Sequence, residues 1–197
     1  MKIDFKKSDG LVPAIVQDAD TQQVLMLGYM NAEAVKKTRK SGFVTFYSRS
    51  RQTIWQKGET SGNTLSLIDM KIDCDQDSIL IQARPAGPTC HLGTTSCFGD
   101  EGPEGLGFLA DLTKTIEQRR AADPQSSYTA SLLQGPLTRT AQKVGEEGVE
   151  TVIAALAQSD EAFLSESADL LYHLMVLLGA KGHTLQDVVA TLKARSH

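Results

Sequence analysis

The sequence predicts a two-domain protein: an N-terminal, mainly antiparallel β domain, barrel-like and carrying one short helix, joined to an all-α helical bundle. Three observations carry this expectation. From Val12 to about Phe98, short runs alternate apolar and polar residues, the period of half-buried strands. Beyond Gly105 the strand pattern disappears and apolar residues recur at helical spacing, as in Phe108, Leu109, Leu112 and Ile116. Between the two lies Gly99-Asp100-Glu101-Gly102-Pro103-Glu104-Gly105, a polar break rich in glycine. The boundary is therefore set after Pro103, giving domains of residues 1–103 and 104–197.

In the first domain, Val24 to Tyr29 reads as a strand, and Asn31 is placed to cap a short helix from Ala32 to Lys40 that Ser41-Gly42 ends. Phe43 to Ser48 and Thr53 to Lys57 read as further strands. Thr64 to Ile72 and Ser78 to Arg84 complete the sheet on either side of an acidic stretch. In the second domain, helices are expected from about Leu106 to Ala121, from Thr138 to Gln158, and from a Ser159-Asp160 cap to about Leu178. A short final helix starts at Thr184. A helical domain of this size is marginal as a monomer, so association is expected.

The chain has 197 residues and a formal net charge of -4, which argues against a nucleic-acid binder relying on overall basic charge. Local clusters such as Ser48-Arg49-Ser50-Arg51 and Lys57 still suit a small anionic substrate. The first residues, Met1 to Lys7, have no apolar core of the signal-peptide kind. The longest apolar run, Leu170 to Leu178, is interrupted by His173 and too short for a bilayer. A cytoplasmic protein without membrane or nucleic-acid partners is expected, and there thiols stay reduced.

Two constellations carry chemistry. The first is Asp73-Cys74-Asp75-Gln76-Asp77 with Cys90-His91 and Cys97. If the chain stays extended through it, residues two apart share a face, with Asp73, Asp75 and Asp77 on one side and Cys74 on the other. Three crowded carboxylates suit a hard cation such as Mg²⁺, and three thiols suit zinc. The acidic run also fits a solvated hairpin tip, and the cysteines also fit a core or a disulfide with one spare. An EF-hand loop is excluded, because Ser78 and Arg84 stand where Gly and Glu are required. The second constellation is Lys143, Glu146, Glu147 and Glu150 on one apolar helix, followed by Glu166 and Asp169 on the next. Like charges three and four apart repel unless something positive lies between them. Two such helices facing each other make a geometry for Mg²⁺ with bound phosphates; two ordinary helices with wet acidic faces would also fit.

On these residues the sequence resembles known enzymes along nearly its whole length. Trp55 to Asn63, Asp73 to Asp77, and Cys90-His91 with Cys97 are similar to phosphoribosyl-AMP cyclohydrolase. Lys143 to Glu150 and Glu166 to Asp169 are similar to phosphoribosyl-ATP pyrophosphatase of the all-α, MazG-like class. Their order resembles the bifunctional enzymes of histidine biosynthesis. The resemblance implies Mg²⁺ on Asp73, Asp75 and Asp77, and Zn²⁺ on Cys74, Cys90 and Cys97 shared across the interface of a homodimer. It further implies Mg²⁺ on Glu146, Glu147, Glu150, Glu166 and Asp169. Catalytic roles fall to Glu147, to Lys143 as a neutraliser of developing charge, and to His91 as proton carrier, a hydrogen bond that supports a ligand being the alternative for His91. Arg49, Arg51 and Lys57 are candidates to hold substrate phosphate, a solvated basic face being the competing reading. The substrates implied are phosphoribosyl-ATP, cleaved by the second domain, and phosphoribosyl-AMP, whose adenine ring the first domain opens. The alternative is a general nucleoside triphosphate pyrophosphatase with a structural zinc domain.

Overall fold

A computed structural model describes residues 3–99 and 101–196. Met1, Lys2, Asp100 (a member of the glycine-rich break) and His197 lie outside the described residues. The chain forms two compact units, Met1–Phe108 and Leu109–His197.

The first unit opens with a 3-10 turn, Phe5–Ser8, and contains β1 (Val12–Asp18), β2 (Val24–Met30), α1 (Ala32–Ser41), β3 (Thr45–Ser48), β4 (Thr53–Gln56), β5 (Leu65–Ile72) and β6 (Ile79–Pro85). Asn31 caps α1 as its residue type predicts, its side chain accepting the Ala34 N–H, and Gly42 ends the helix in the left-handed region. Four strands pair in the order β2-β1-β6-β5, and β3 pairs with β4 in a second sheet. The barrel-like expectation thus takes the form of two sheets stitched by backbone bonds, Val44 N–H to Leu65 O at 2.9 Å and Leu67 N–H to Gly42 O at 2.7 Å. Phe43 and Val44 are used in this stitching, so β3 starts later than the apolar run suggests.

One pairing departs from the antiparallel pattern: β1 and β6 run parallel, with Ile15 opposite Leu80 and Val16 opposite Ile81. Parallel neighbours need a long crossover, and here α1 and β2 to β5 supply it. Such a long-range pairing leaves no local mark in the sequence. The core beneath the sheet holds Val12, Val16, Leu25, Phe46, Leu65 and Ile81, all essentially inaccessible to water. Gly28 lies against this core, where a Cβ would stand 2.4 Å from the Phe46 ring.

The second unit contains α2 (Gly107–Arg119, starting at the division), α3 (Tyr128–Gln134), α4 (Leu137–Ala157), α5 (Asp160–Ala180) and α6 (Leu185–Arg195). Among the described residues it has no strand. Ser159 caps α5 by accepting the Ala162 N–H, as the sequence predicts. Helix α3 has no counterpart among the sequence expectations. Seven residues give too little periodicity to detect, but Ser127 caps it, and Gly135-Pro136 separates it from α4. Helix α5 runs through Gly179, which packs in the core and accepts a 2.7 Å bond at its carbonyl from Arg120. With 21 residues, α5 is the one described helix long and apolar enough to cross a membrane by length and composition. Yet its Met175 and Val176 lie with Ile116 and Leu132 in the core of the unit. A core helix of a bundle has the same composition as a spanning one.

Candidate active sites

Of the two geometries open to the acidic stretch of the first unit, an extended segment and a hairpin tip, the tip forms. Residues 73–78 make a tight turn between β5 and β6, with Gln76 in the left-handed region at φ 70°. Asp73 organises the turn: its Oδ1 accepts the Asp77 and Ser78 N–H groups, each at 3.0 Å, and its own N–H donates to Ser78 O. A short acceptor side chain at such a position satisfies amides that a strand would have paired. The turn nonetheless brings Asp73, Asp75 and Asp77 together, each with a carboxylate oxygen within 4.8 Å of the others. Lys7 also reaches it, donating to Asp75 O at 2.6 Å and standing 3.1 Å from Asp75 Oδ2 and 3.7 Å from Asp77 Oδ2. The sequence reading did not find Lys7, because nothing local ties residue 7 to residue 75.

The Ser78 N–H, with the Asp77 N–H and the Ser78 hydroxyl, holds the Asp73 carboxyl below its usual value of 3.8. A carboxylate favoured in the fold stabilises it above the unfolded pKa, and that contribution is lost as pH falls through the lowered value. Denaturant midpoints of the full chain should therefore decline as pH drops below about 4, in part through Asp73. Asp73→Asn, which keeps the accepting oxygen without the charge, should flatten that decline; an unchanged profile would contradict the assignment.

Cys90 and Cys97 flank a loop tied to β2 by the Cys97 N–H to Leu25 O at 2.8 Å and by the Ser96 hydroxyl to Val24 O, also 2.8 Å. The Cys90 N–H closes the loop on Thr94 O. The Leu92 N–H and the Thr94 hydroxyl pull the Cys90 thiol down, with a bond to Cys97 adding to this. Partial desolvation pushes Cys97 up, as does its bond to Cys90, and the Lys57 ammonium acts in the opposite direction. The lowered Cys90 thiol and its close pairing with Cys97 suit a soft cation. His91 Nδ1 lies 3.8 Å from Cys90 Sγ, on an exposed ring. Cys74 is exposed in the turn, and among the described residues the three sulfurs do not gather into one group.

The predicted phosphate binders separate. Arg49 stacks over Tyr29, its guanidinium carbon 3.9 Å from the ring centroid, at a cavity of about 330 Å³ that Phe46, Ser48 and Trp55 also line. Lys57 is half-buried, with Nζ 3.4 Å from Asn63 O. Gly58 permits the turn beside it: φ is +81°, and a Cβ would meet Asn63 O at 2.3 Å. Arg51 is exposed, and its N–H donates to the Ser48 hydroxyl.

In the second unit α4 and α5 lie side by side, and carboxylate oxygens of Glu147, Glu150 and Glu166 fall within 4.8 Å of one another. Partial desolvation first, then the charges of Glu147 and Glu166, push the Glu150 carboxyl up. Glu147 is only 5% exposed, and its Oε1 lies 2.8 Å from Lys143 Nζ. The bonds to Glu147 and Glu146 hold the Lys143 ammonium firmly charged. Of the other expected ligands, Glu146 faces along its own helix to Lys143 at 3.0 Å and Gln142 at 2.7 Å. Asp169 is exposed and stands outside the group of three. The structure adds His173, which the sequence places one further turn along the helix from Asp169 without assigning it a role. It is buried behind Glu147, with Nδ1 3.6 Å from Glu147 Oε1. Its spacing of four from Asp169 and seven from Glu166 places it on the same helix face.

Comparison with known proteins agrees with this division. Residues 26–99 match the family model of phosphoribosyl-AMP cyclohydrolase, and residues 109–196 match that of phosphoribosyl-ATP pyrophosphohydrolase. The chain is 56% identical over 194 residues to the histidine biosynthesis bifunctional protein HisIE of Xylella fastidiosa (strain Temecula1), covering 98% of this chain and 92% of that protein. It is 51% identical over 194 residues to HisIE of Escherichia coli (strain K12), covering 98% and 95% respectively. To HisIE of Bacteroides thetaiotaomicron it is 50% identical over 195 residues, covering 99% and 96%. With both family models matched in this order and half or more of its residues shared with such relatives end to end, the chain belongs to the bifunctional family of histidine biosynthesis that joins a phosphoribosyl-AMP cyclohydrolase to a phosphoribosyl-ATP pyrophosphohydrolase.

Proposed function

We propose that the two hydrolyses run at two separate cation-dependent sites, one in each unit, with Mg²⁺ in the second and both Zn²⁺ and Mg²⁺ in the first. The observation that carries this reading is the convergence of three carboxylates from two helices, Glu147, Glu150 and Glu166, beside a half-buried lysine. Mutually repelling carboxylates, one of them with its proton affinity raised, are a donor set that a hard cation relieves. Glu147, Glu150 and Glu166 would hold Mg²⁺, which would supply screening of triphosphate charge. The chain's own groups do the rest. Glu147 positions the attacking water at the phosphorus whose bond to pyrophosphate breaks, and Lys143 stabilises the negative charge that develops. Glu146 keeps Lys143 in place, and Asp169 at the exposed rim extends the acidic set for a bound ion.

In the first unit, Cys90 and Cys97 form a soft donor pair, and Cys74 from a second copy of the chain completes a three-thiolate zinc site. A zinc ion held by these thiolates would supply a nucleophile near neutral pH by acidifying water. Water adds at C6 of the adenine ring, the N1–C6 bond breaks, and His91 carries the proton from the attacking water to the departing N1. The Asp73, Asp75 and Asp77 group suits Mg²⁺. Arg49, Lys57 and Arg51 take the phosphate charge, with Arg49 at the aromatic cavity. A homodimer is further supported by the apolar row of α4, where Val149, Val152, Ile153 and Leu156 are exposed, Leu156 at 83%. A cytoplasmic setting keeps the three thiols reduced.

Metal analysis of the purified chain, paired with a product assay on phosphoribosyl-ATP, tests this reading. Stoichiometric zinc is expected, with Mg²⁺-dependent pyrophosphate release followed by the ring-opened product. Zinc-free protein in which chelation slows neither step would overturn it.

A further inference from the structure

His173 is titratable, buried to 5% exposure, and not used by either hydrolysis as set out above. Its surroundings determine its state. Nδ1 lies 2.9 Å from the Asp169 carbonyl oxygen, which can only accept, so Nδ1 carries the proton. Nε2, 3.0 Å from the Tyr128 hydroxyl, is then the acceptor, and Tyr128 donates. The ring is wedged edge-on between Tyr128 and Tyr172, with centroids at 6.0 and 5.1 Å. Tyr172 is in turn bonded to Thr129 at 2.7 Å, so two adjacent residues of α3 grip two adjacent residues of α5. The protonated edge of this clamped ring faces Glu147 Oε1, the oxygen that Lys143 also approaches.

We propose that His173 is a positioning residue of the pyrophosphohydrolase site. Lys143 bonds Glu147 Oε1 at 2.8 Å, and the positive N–H edge of the ring, whose proton is donated to the Asp169 carbonyl, backs the same oxygen at 3.6 Å, leaving the other carboxylate oxygen turned to the cation. Tyr128 prevents the ring from turning over by occupying Nε2. The inference rests on the reading of Glu147, Glu150 and Glu166 as a cation site. Groups that support a metal-binding carboxylate in this way are worth about 10- to 100-fold in metal affinity.

The test uses the full chain, with Mn²⁺ as a spectroscopic probe and affinity read by electron paramagnetic resonance. Three changes are compared: His173→Leu, His173→Asn (which returns an N–H near the Nδ1 position) and Tyr128→Phe. Leu should weaken Mn²⁺ binding by about 10-fold or more, Asn should restore most of it, and Tyr128→Phe should weaken it several-fold. Ring opening of phosphoribosyl-AMP serves as the check that each variant is folded in its first unit, and a thermal melt serves for the second. Equal losses for Leu and Asn would overturn the proposal and leave His173 a packing residue, as would wild-type affinity in Tyr128→Phe. Should His173→Leu fail to fold, the Asn and Tyr128→Phe comparisons decide by themselves. Glu147→Gln is the control: if it leaves Mn²⁺ affinity unchanged, the cation site itself is refuted and the positioning role goes with it.

Discussion

Glu147→Gln is expected to reduce pyrophosphate release from phosphoribosyl-ATP by at least about 100-fold while ring opening of supplied phosphoribosyl-AMP proceeds at the normal rate. The substitution keeps the shape of a buried side chain, so the packing of α4 against α5 survives. What it removes is anionic charge at the one carboxylate of the group that is buried and paired with Lys143. Lys143 retains Glu146 at 3.0 Å, so its ammonium is not stranded. An amide is a weak ligand for a hard cation compared with a carboxylate. Assays of the two steps on separately supplied substrates decide the matter. Loss of both steps in a folded variant would refute the division of labour between the units, and unimpaired pyrophosphate release would refute the role of Glu147.

The converse result is expected of Cys97→Ser. Ring opening should fall by about 100-fold or more, phosphoribosyl-AMP should accumulate from phosphoribosyl-ATP, and zinc content should drop. Serine offers a hard, protonated oxygen where a soft thiolate is needed. The local structure has reason to persist, because the loop is anchored by the Cys97 backbone N–H to Leu25 O and by the Ser96 hydroxyl rather than by the thiol. A variant that loses zinc yet opens the ring at the normal rate would remove the cation from the reaction. One that retains zinc and activity would remove Cys97 from the site.

The elements legible in the sequence are those whose signal is local. Asn31 capping α1, Gly42 ending it, Ser159 capping α5, and the alternation of β5 and β6 depend on residues within a turn or a strand of one another. The acidic helix motif was readable for the same reason, since spacings of three and four put Glu147 and Glu150 on one side of α4 whatever surrounds them. The shape of the Asp73 stretch stays open in the sequence between extension and a hairpin tip, because alternation on both flanks is compatible with either. The deciding influence is Asp73 itself, whose side chain satisfies the amides of a turn. The short α3 escaped because seven residues hold less than two full periods of apolar spacing.

By itself, the sequence determined the two-part organisation, the donor types and the helix faces, since each follows from residue chemistry and from backbone periods of two and 3.6. Only the tertiary structure decided which donors meet. It set Lys7 against the Asp75 turn, β1 parallel to β6, Glu166 beside Glu147 and Glu150, and His173 behind them with Tyr128 on its far edge. The physical reason is that these contacts join residues far apart along the chain. Packing, rather than local backbone preference, selects which of them form.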